Sequence, residues 1–259
     1  AHLPLLLRPD GNGKLSKRDG DRLGFPVFPL NWLNEETGET ASGYRERGFY
    51  PQAFVNMLAF LGWNPGTNQE IFSLEELVAA FNLDKVNKAG ARFDFDKAKW
   101  FNQQHLRLQS ETDLVAAYRA EAAARGLTLP SDTFALAAMH LFMDRAEFIG
   151  DTLEGASYLF EDPSTYDEVM VGKKWTVDAP NYVTDLKGVF AQTDYSEAAL
   201  ENAFKAYLAD KGYGFGQVGP VLRLAIAGTT QGPSIFTVMQ LIGQEASERR
   251  IDQALTSLS

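Results

Sequence analysis

The chain has 259 residues, of which 45% are hydrophobic, and this is enough to form the core of one large domain or two smaller ones. It contains no cysteine, which excludes disulfides and thiolate zinc sites. The formal net charge of −10 excludes a protein that coats nucleic acid indiscriminately, because neutralising phosphates requires clustered lysines and arginines. No apolar run approaches the roughly 18 residues that cross a bilayer, so we expect no membrane contact and a cytoplasmic location.

A basic loop flanked by glycines at residues 11–20 is the most chemically suggestive segment near the start. Its glycines let the backbone approach a ligand closely, and Lys14, Lys17 and Arg18 present cations to anionic oxygens. The loop can therefore hold a polyphosphate. It is not a Walker A loop, because Leu15 occupies the position of the magnesium-binding Ser or Thr. A solvated surface turn remains the alternative.

The segments that follow are dominated by the helical period. Pro51 begins an amphipathic helix, and Gly62 supplies a left-handed stop. Ser73 with Glu76 forms the pattern of a capping box and predicts another helix start. Alternating strand patterns are scarce, and residues 24–30 are the best short candidate.

Further helix starts are predicted to the end of the chain, and together they indicate a mainly α fold. Polar or proline-containing breaks at residues 107–112 and 161–182 separate the helices into three groups. The predicted starts lie near Asp94, Ser110 (ending at Gly126), Pro130, Ser196 (ending at Gly212), Pro220 and Ser234 (ending at Gly243), with a last helix running to the C-terminus.

Residues 14–18, Lys-Leu-Ser-Lys-Arg, resemble the KMSKS motif of class I aminoacyl-tRNA synthetases, and with the Asp-Gly-Asp that follows they are similar to the glutamyl branch. The resemblance implies a catalytic loop that closes over ATP, which enters with Mg²⁺ in the full-length enzyme. It implies that Lys17 stabilises negative charge growing on the phosphates, with Lys14 and Ser16 in support. It also implies that Lys14, Lys17 and Arg18 bind ATP.

Two more segments extend the resemblance towards the middle of the chain. Residues 48–63 and 93–102 are similar to landmarks of the bacterial glutamyl-tRNA synthetase family. The resemblance implies a helical stem-contact domain at residues 1–107, including the loop. The aromatic and aliphatic residues of these segments are also ordinary core positions.

The last third of the chain carries the second set of similar segments, at residues 216–228, 232–236 and 241–245. They resemble the C-terminal signature of the same family. The resemblance implies an all-helical anticodon-binding cage of two subdomains, at residues 108–175 and 176–259.

Five residues near the C-terminal signature are candidates for anticodon binding. The resemblance places Arg223 at an anticodon-contacting arginine, and a following turn where backbone and apolar atoms meet the bases. A turn stiffened by proline can offer its backbone to unstacked bases. The alternative is that Gly232-Pro233-Ser234 only starts a helix. The turn residues implied are Thr230, Gly232, Pro233 and Ile235.

Arg145 resembles the arginine that recognises the last anticodon base and separates glutamate from glutamine tRNAs. A guanidinium can bind a base edge through paired donors. The alternative role for Arg145 is a helical i to i+4 ion pair with a nearby carboxylate.

The three histidines, His2, His105 and His140, are too far apart for a local metal motif, so we expect no metal site. We expect structural roles for His105 and His140.

The function implied is that of the C-terminal, tRNA-binding part of a glutamate–tRNA ligase. In the full-length enzyme glutamate and ATP form glutamyl adenylate, and glutamate then passes to tRNA(Glu). This chain lacks most of the catalytic domain, so we expect it to be inactive alone and to bind the anticodon arm as a monomer. The alternative function is a stand-alone helical RNA-binding module without ligase activity.

Overall fold

The computed structural model describes residues 3–258, apart from the side chains of Lys17, Arg18 and Asp21. The fold is mainly helical, as predicted, with only short strands in the described residues. Within this part of the chain, no helix combines the length and the apolar composition that crossing a membrane requires.

The chain divides into two compact units. The first unit comprises Ala1–Leu114 and Arg145–Asp151, and the second comprises Val115–Asp144 and Thr152–Ser259. The functional domain boundaries predicted after residues 107 and 175 stay predictions.

The first unit contains small two-stranded pairings and four complete α-helices in its described residues. Strand β1 pairs in parallel with β4, and β2 pairs with β3 in an antiparallel hairpin. Its elements are β1 (Leu6–Leu7), α1 (Lys17–Leu23), β2 (Trp32–Leu33), β3 (Thr40–Ala41), α2 (Pro51–Phe60), α3 (Leu74–Ala80), a 3-10 helix (Leu83–Lys85), β4 (Ala91–Arg92) and α4 (Phe95–Leu106).

The remaining elements are helical. Helix α11 is broken at Gly243, where φ is 84° and ψ is 171°, which confirms the predicted helix end. The elements are α5 (Glu111–Ala124), α6 (Asp132–His140), 3-10 helices Met143–Arg145, Ile149–Leu153 and Ser157–Leu159, α7 (Glu168–Lys174), α8 (Ala179–Phe190), α9 (Glu197–Lys211), α10 (Phe215–Ala227) and α11 (Ile235–Ser257).

Each unit has its own core. In the first, α2 packs on α4 around an aromatic cluster that includes Phe49, Phe93 and Phe101. In the second, α10 packs against α8 and α11, and Leu222 and Met239 are fully buried there. Apolar burial of this kind is the main force that holds each unit together.

The predicted helix starts are mostly confirmed by their capping contacts. The Ser73 hydroxyl accepts from the Glu76 N–H at 3.2 Å, and the Glu76 carboxylate accepts from the Ser73 N–H at 2.8 Å. Asp94 and Ser196 cap α4 and α9 in the same way. Gly212 ends α9 with φ at 69°, a left-handed conformation that favours glycine.

The helix start predicted at Pro220 is wrong. Helix α10 begins at Phe215, and Pro220 lies inside it. The turn before the proline carries Val218, which is fully buried. Burial of this turn therefore outweighs the backbone hydrogen bond that a proline cannot donate.

The strand predicted at residues 24–30 is also wrong. The segment forms one isolated bridge, between Phe28 and Gly43, because Pro26 and Pro29 have no N–H to donate to a ladder.

Helix α7 lies within the 161–182 segment that the sequence predicted as a break. Its N-cap is Asp167, which accepts from the N–H of Met170 at 3.0 Å.

Candidate nucleic-acid interface

The first candidate surface is the connection between α10 and α11, residues 228–234, which we call the recognition turn. Gly228 ends α10 with φ at 71°. At the other end, the Ser234 hydroxyl accepts from the N–H of Thr237 at 3.4 Å and caps α11. The turn thus starts a helix, as the alternative interpretation expected, and connects two helices that both contribute to the core of the second unit.

Arg223 fixes the shape of the recognition turn from within. Its Nη1 donates to the carbonyl of Gln231 at 3.4 Å, and its Nη2 donates to the carbonyl of Pro233. Partial burial lowers the pKa of the Arg223 guanidinium below its ordinary value, but an arginine stays charged at any physiological pH. Two carbonyls of the turn therefore accept hydrogen bonds from this cation.

The other predicted residues of the turn differ in accessibility. Gly232 is exposed, and Thr230 and Pro233 are partly buried. Ile235 is 5% exposed, so its side chain packs into the core of the second unit. The exposed residues of the recognition turn are Gln231, Gly232 and Ser234.

Gly232 lies against the side chain of Tyr158, a residue that the sequence did not predict as part of the site. Its φ is +125°, and a Cβ built there would lie 2.7 Å from the hydroxyl oxygen of Tyr158. Tyr158 is 5% exposed, and its hydroxyl has no hydrogen-bond partner among the described residues. Tyr158 lies in a short 3-10 helix, so no sequence period pointed to it.

Arg145 is exposed, and it ends the 3-10 helix Met143–Arg145. A 3-10 turn does not provide the i to i+4 spacing of the alternative role. Arg145 belongs to the first unit, whereas Arg223 belongs to the second.

The basic loop is organised by an acidic residue. The Ser16 hydroxyl donates to Asp19 Oδ2 at 2.6 Å, and Arg8 and Arg22 contact the same carboxylate at 3.3 and 3.0 Å. The hydrogen bond from Ser16 is the largest cause that lowers the pKa of Asp19 to about 2. Asp19 was not predicted, although its spacing from Ser16 is that of a capping box.

The predicted cations of this loop are only partly described. Lys14 is exposed and forms an isolated bridge with Leu7. The Lys17 backbone begins α1, but the side chains of Lys17 and Arg18 lie outside the described residues. Ser16, directly before Lys17, is the N-cap residue, and its N–H and hydroxyl both donate to Asp19 Oδ2, at 2.9 and 2.6 Å.

No group of three or more His, Asp or Glu residues in the described part of the chain could hold a metal ion. His105 is buried, and its Nε2 lies 3.1 Å from Asn56 Oδ1. Burial lowers its pKa, so it is a neutral core residue, in line with the structural role predicted. His140 is exposed at the end of α6, and His2 lies outside the described residues.

Comparisons with known proteins agree with the sequence resemblance. A family model described as "Anticodon binding domain" matches residues 102–255. Proteins named Glutamate--tRNA ligase from Phocaeicola vulgatus and Flavobacterium johnsoniae are each 44% identical over all 259 residues, which cover 51% of those proteins. The chain therefore spans about half the length of the curated relatives it matches.

Solved structures give the same result for the fold. A glutamate tRNA ligase from Elizabethkingia meningosepticum, in complex with its amino acid, matches with a TM-score of 0.95 at 40% identity over 100% of this chain and 51% of that one. A glutamate-tRNA synthetase from Elizabethkingia anophelis matches with a TM-score of 0.91 at 40% identity, over 99% and 51%. The resemblance to glutamyl-tRNA synthetases is thus confirmed, and the chain belongs to the anticodon binding domain family.

Proposed function

We propose that this chain is the tRNA-binding half of a glutamate–tRNA ligase and that its recognition turn binds the anticodon of tRNA(Glu). The observation that carries the proposal is the turn held by Arg223 between α10 and α11. The whole-chain similarity to glutamate–tRNA ligases supports tRNA(Glu) as the partner.

The geometry of the turn suits recognition of single-stranded bases. Arg223 engages two carbonyls from within, and Gly232 has no side chain to separate the backbone from a ligand. Unstacked bases can then be recognised on their edges by backbone groups and by side chains such as Thr230. Pro233 restricts the turn and reduces the entropy lost on binding.

A local interface of this kind agrees with the acidic composition. The net charge of −10 makes long-range attraction of tRNA weak, so affinity must come from specific contacts and from exposed cations such as Arg145. We propose that Arg145 binds the last anticodon base and thereby discriminates against glutamine tRNA.

In the full-length ligase, the loop that contains Lys14, Ser16 and Lys17 would act in formation of glutamyl adenylate from glutamate and ATP. Lys17 would stabilise charge on the phosphates, and Lys14 and Arg18 would help to hold ATP, whose Mg²⁺ enters with it. The chain alone would bind tRNA as a monomer in the cytoplasm without charging it.

Binding of labelled tRNA(Glu) transcripts to the 259-residue chain tests the proposal. Arg223→Gln should weaken binding about tenfold or more and reduce the preference for the native anticodon over a substituted one. Lys205→Gln is the matched control, because Lys205 is an exposed cation on α9 that pairs with Glu201. Equal affinity of wild-type protein for the native and the substituted anticodon would contradict the proposal.

A further inference from the structure

We propose that Tyr158 is a positioning residue for anticodon recognition, and that its buried hydroxyl sets the position of the Gly232 peptide in the recognition turn. The inference rests on the proposed function of this turn. It assigns a role to a residue that does not itself face solvent, since Tyr158 is 5% exposed.

The contact between Tyr158 and Gly232 leaves no room for a side chain. A Cβ at position 232 would lie 2.7 Å from the Tyr158 hydroxyl oxygen, 3.4 Å from Arg223 Nη1 and 3.7 Å from Tyr158 Cζ. Only the hydroxyl oxygen is close enough to exclude a Cβ at position 232, because the next neighbours lie at ordinary or nearly ordinary contact distances. Tyr158 and Arg223 thus hold the exposed Gly232 from beneath.

The Tyr158 hydroxyl makes no hydrogen bond to another described residue. It is buried and has no partner among the described residues, and an unsatisfied buried hydroxyl is destabilising. Phenylalanine at this position would retain the ring and remove that cost. The oxygen also lies in the field of the Arg223 guanidinium, so it meets both the glycine and the arginine of the recognition turn.

The backbone of Tyr158 is itself held rigidly. Arg250 Nη1 donates to the Tyr158 carbonyl at 2.6 Å and to the Ile226 carbonyl, in the last turn of α10, at 3.1 Å. Tyr158 is thereby linked to the helix that carries Arg223. A fixed ring beneath a glycine with φ at +125° restricts the turn before any ligand arrives, which reduces the ordering cost of binding.

The test is a double-mutant cycle between Tyr158→Phe and Gly232→Ala in the full 259-residue chain. Dissociation constants are measured for the native and an anticodon-substituted tRNA(Glu) transcript, and each melting temperature is recorded. Gly126→Ala is the matched control, because Gly126 has φ at +74° with nothing within 4 Å of its added Cβ. It measures the cost of a left-handed φ without a steric clash, whereas the φ of +125° at Gly232 lies further from the conformations open to alanine and adds a larger strain.

Gly232→Ala should weaken binding about tenfold or more, and Tyr158→Phe should restore part of that loss by removing the oxygen. Restoration stays partial because the strained φ remains. Tyr158→Phe alone should weaken binding about two- to fivefold while the melting temperature is unchanged or raised, a split that a purely structural role would not produce. If Gly232→Ala unfolds the chain, recovery of the melting temperature in the double variant reports the same contact.

Purely additive effects of the two substitutions would overturn the role of Tyr158 and leave the proposed function standing. If instead Gly232→Ala folds and binds both transcripts like wild type, the recognition turn does not bind the anticodon, and the proposed function fails with it. Gly126→Ala should leave tRNA affinity unchanged in either case.

Discussion

Arg250 of α11 donates a hydrogen bond of 2.6 Å to the main-chain carbonyl of Tyr158, 92 residues earlier. The arginine is 3% exposed, and it also donates to the carbonyls of Ile226 and Glu161 and to the carboxylate of Asp162. These acceptors compensate for part of the hydration that the buried guanidinium has lost, although burial still lowers the pKa of Arg250. Arg250 therefore joins three segments of the second unit at one point.

Removal of Arg250 should be strongly destabilising. Arg250→Ala leaves three carbonyls without their donor, and losing one partner of a buried charged network costs about 3–5 kcal/mol. Arg249→Ala is the control, since its side chain pairs with the same Asp162 but is 54% exposed. It should cost clearly less than Arg250→Ala, because solvent screens an exposed ion pair. Urea unfolding of both variants checks this, and equal midpoints would contradict the role assigned to Arg250.

The second unit should lose stability in acid because of Asp162. Hydrogen bonds from Arg249, and secondarily from Arg250, lower the pKa of this carboxyl from 3.8 to about 2. A carboxyl with a lowered folded-state pKa contributes stability that is present above its unfolded value and lost as the pH falls through the folded value. The loss should therefore fall between pH 4 and pH 2.

Thermal unfolding of wild type and Asp162→Asn, followed across that range, measures this contribution. The difference in melting temperature between the two should shrink as the pH falls. A difference that is constant with pH would show that ionisation of Asp162 does not stabilise the fold.

Asn56 should be essential to the first unit. It is fully buried, its Oδ1 accepts from the N–H of Phe72 at 2.9 Å, and its Nδ2 donates to the carbonyl of Glu70 at 3.0 Å. Asn56→Leu should cost about 1–3 kcal/mol for each group left unpaired. The exposed Asn64, which accepts from the N–H of Gly66, is the control, and Asn64→Leu should cost much less in denaturant unfolding.

Ser16 should control the ionisation of Asp19. Its hydroxyl donates the 2.6 Å hydrogen bond that is the largest cause of the low pKa of Asp19, whereas the charge of Arg22 is the smallest. Ser16→Ala should raise the pKa of Asp19 further than Arg22→Ala does. Carboxyl-detected NMR titration of the two variants checks the order, and a larger rise in Arg22→Ala would reverse the assignment.

The helices and their caps could be predicted because they depend on local chemistry. A helix start is predicted by the capping side chains of Ser73 and Asp94. A helix end is predicted by Gly212, which has no side chain to oppose a left-handed conformation. Pro220 was wrongly predicted as a helix start, because burial of the preceding turn extends α10 back to Phe215. Tyr158 and Arg250 could not be predicted, because their partners lie far away in sequence and no short-range period marks them.

Crosslinking of the anticodon to the chain tests the central claim most directly. A tRNA(Glu) transcript with 4-thiouridine at single anticodon positions is irradiated in complex with the 259-residue chain, and the modified peptides are identified by mass spectrometry. Contact between the anticodon and the recognition turn predicts modified residues within 228–234 and a loss of that product in Arg223→Gln. Efficient crosslinking to other segments alone would contradict it.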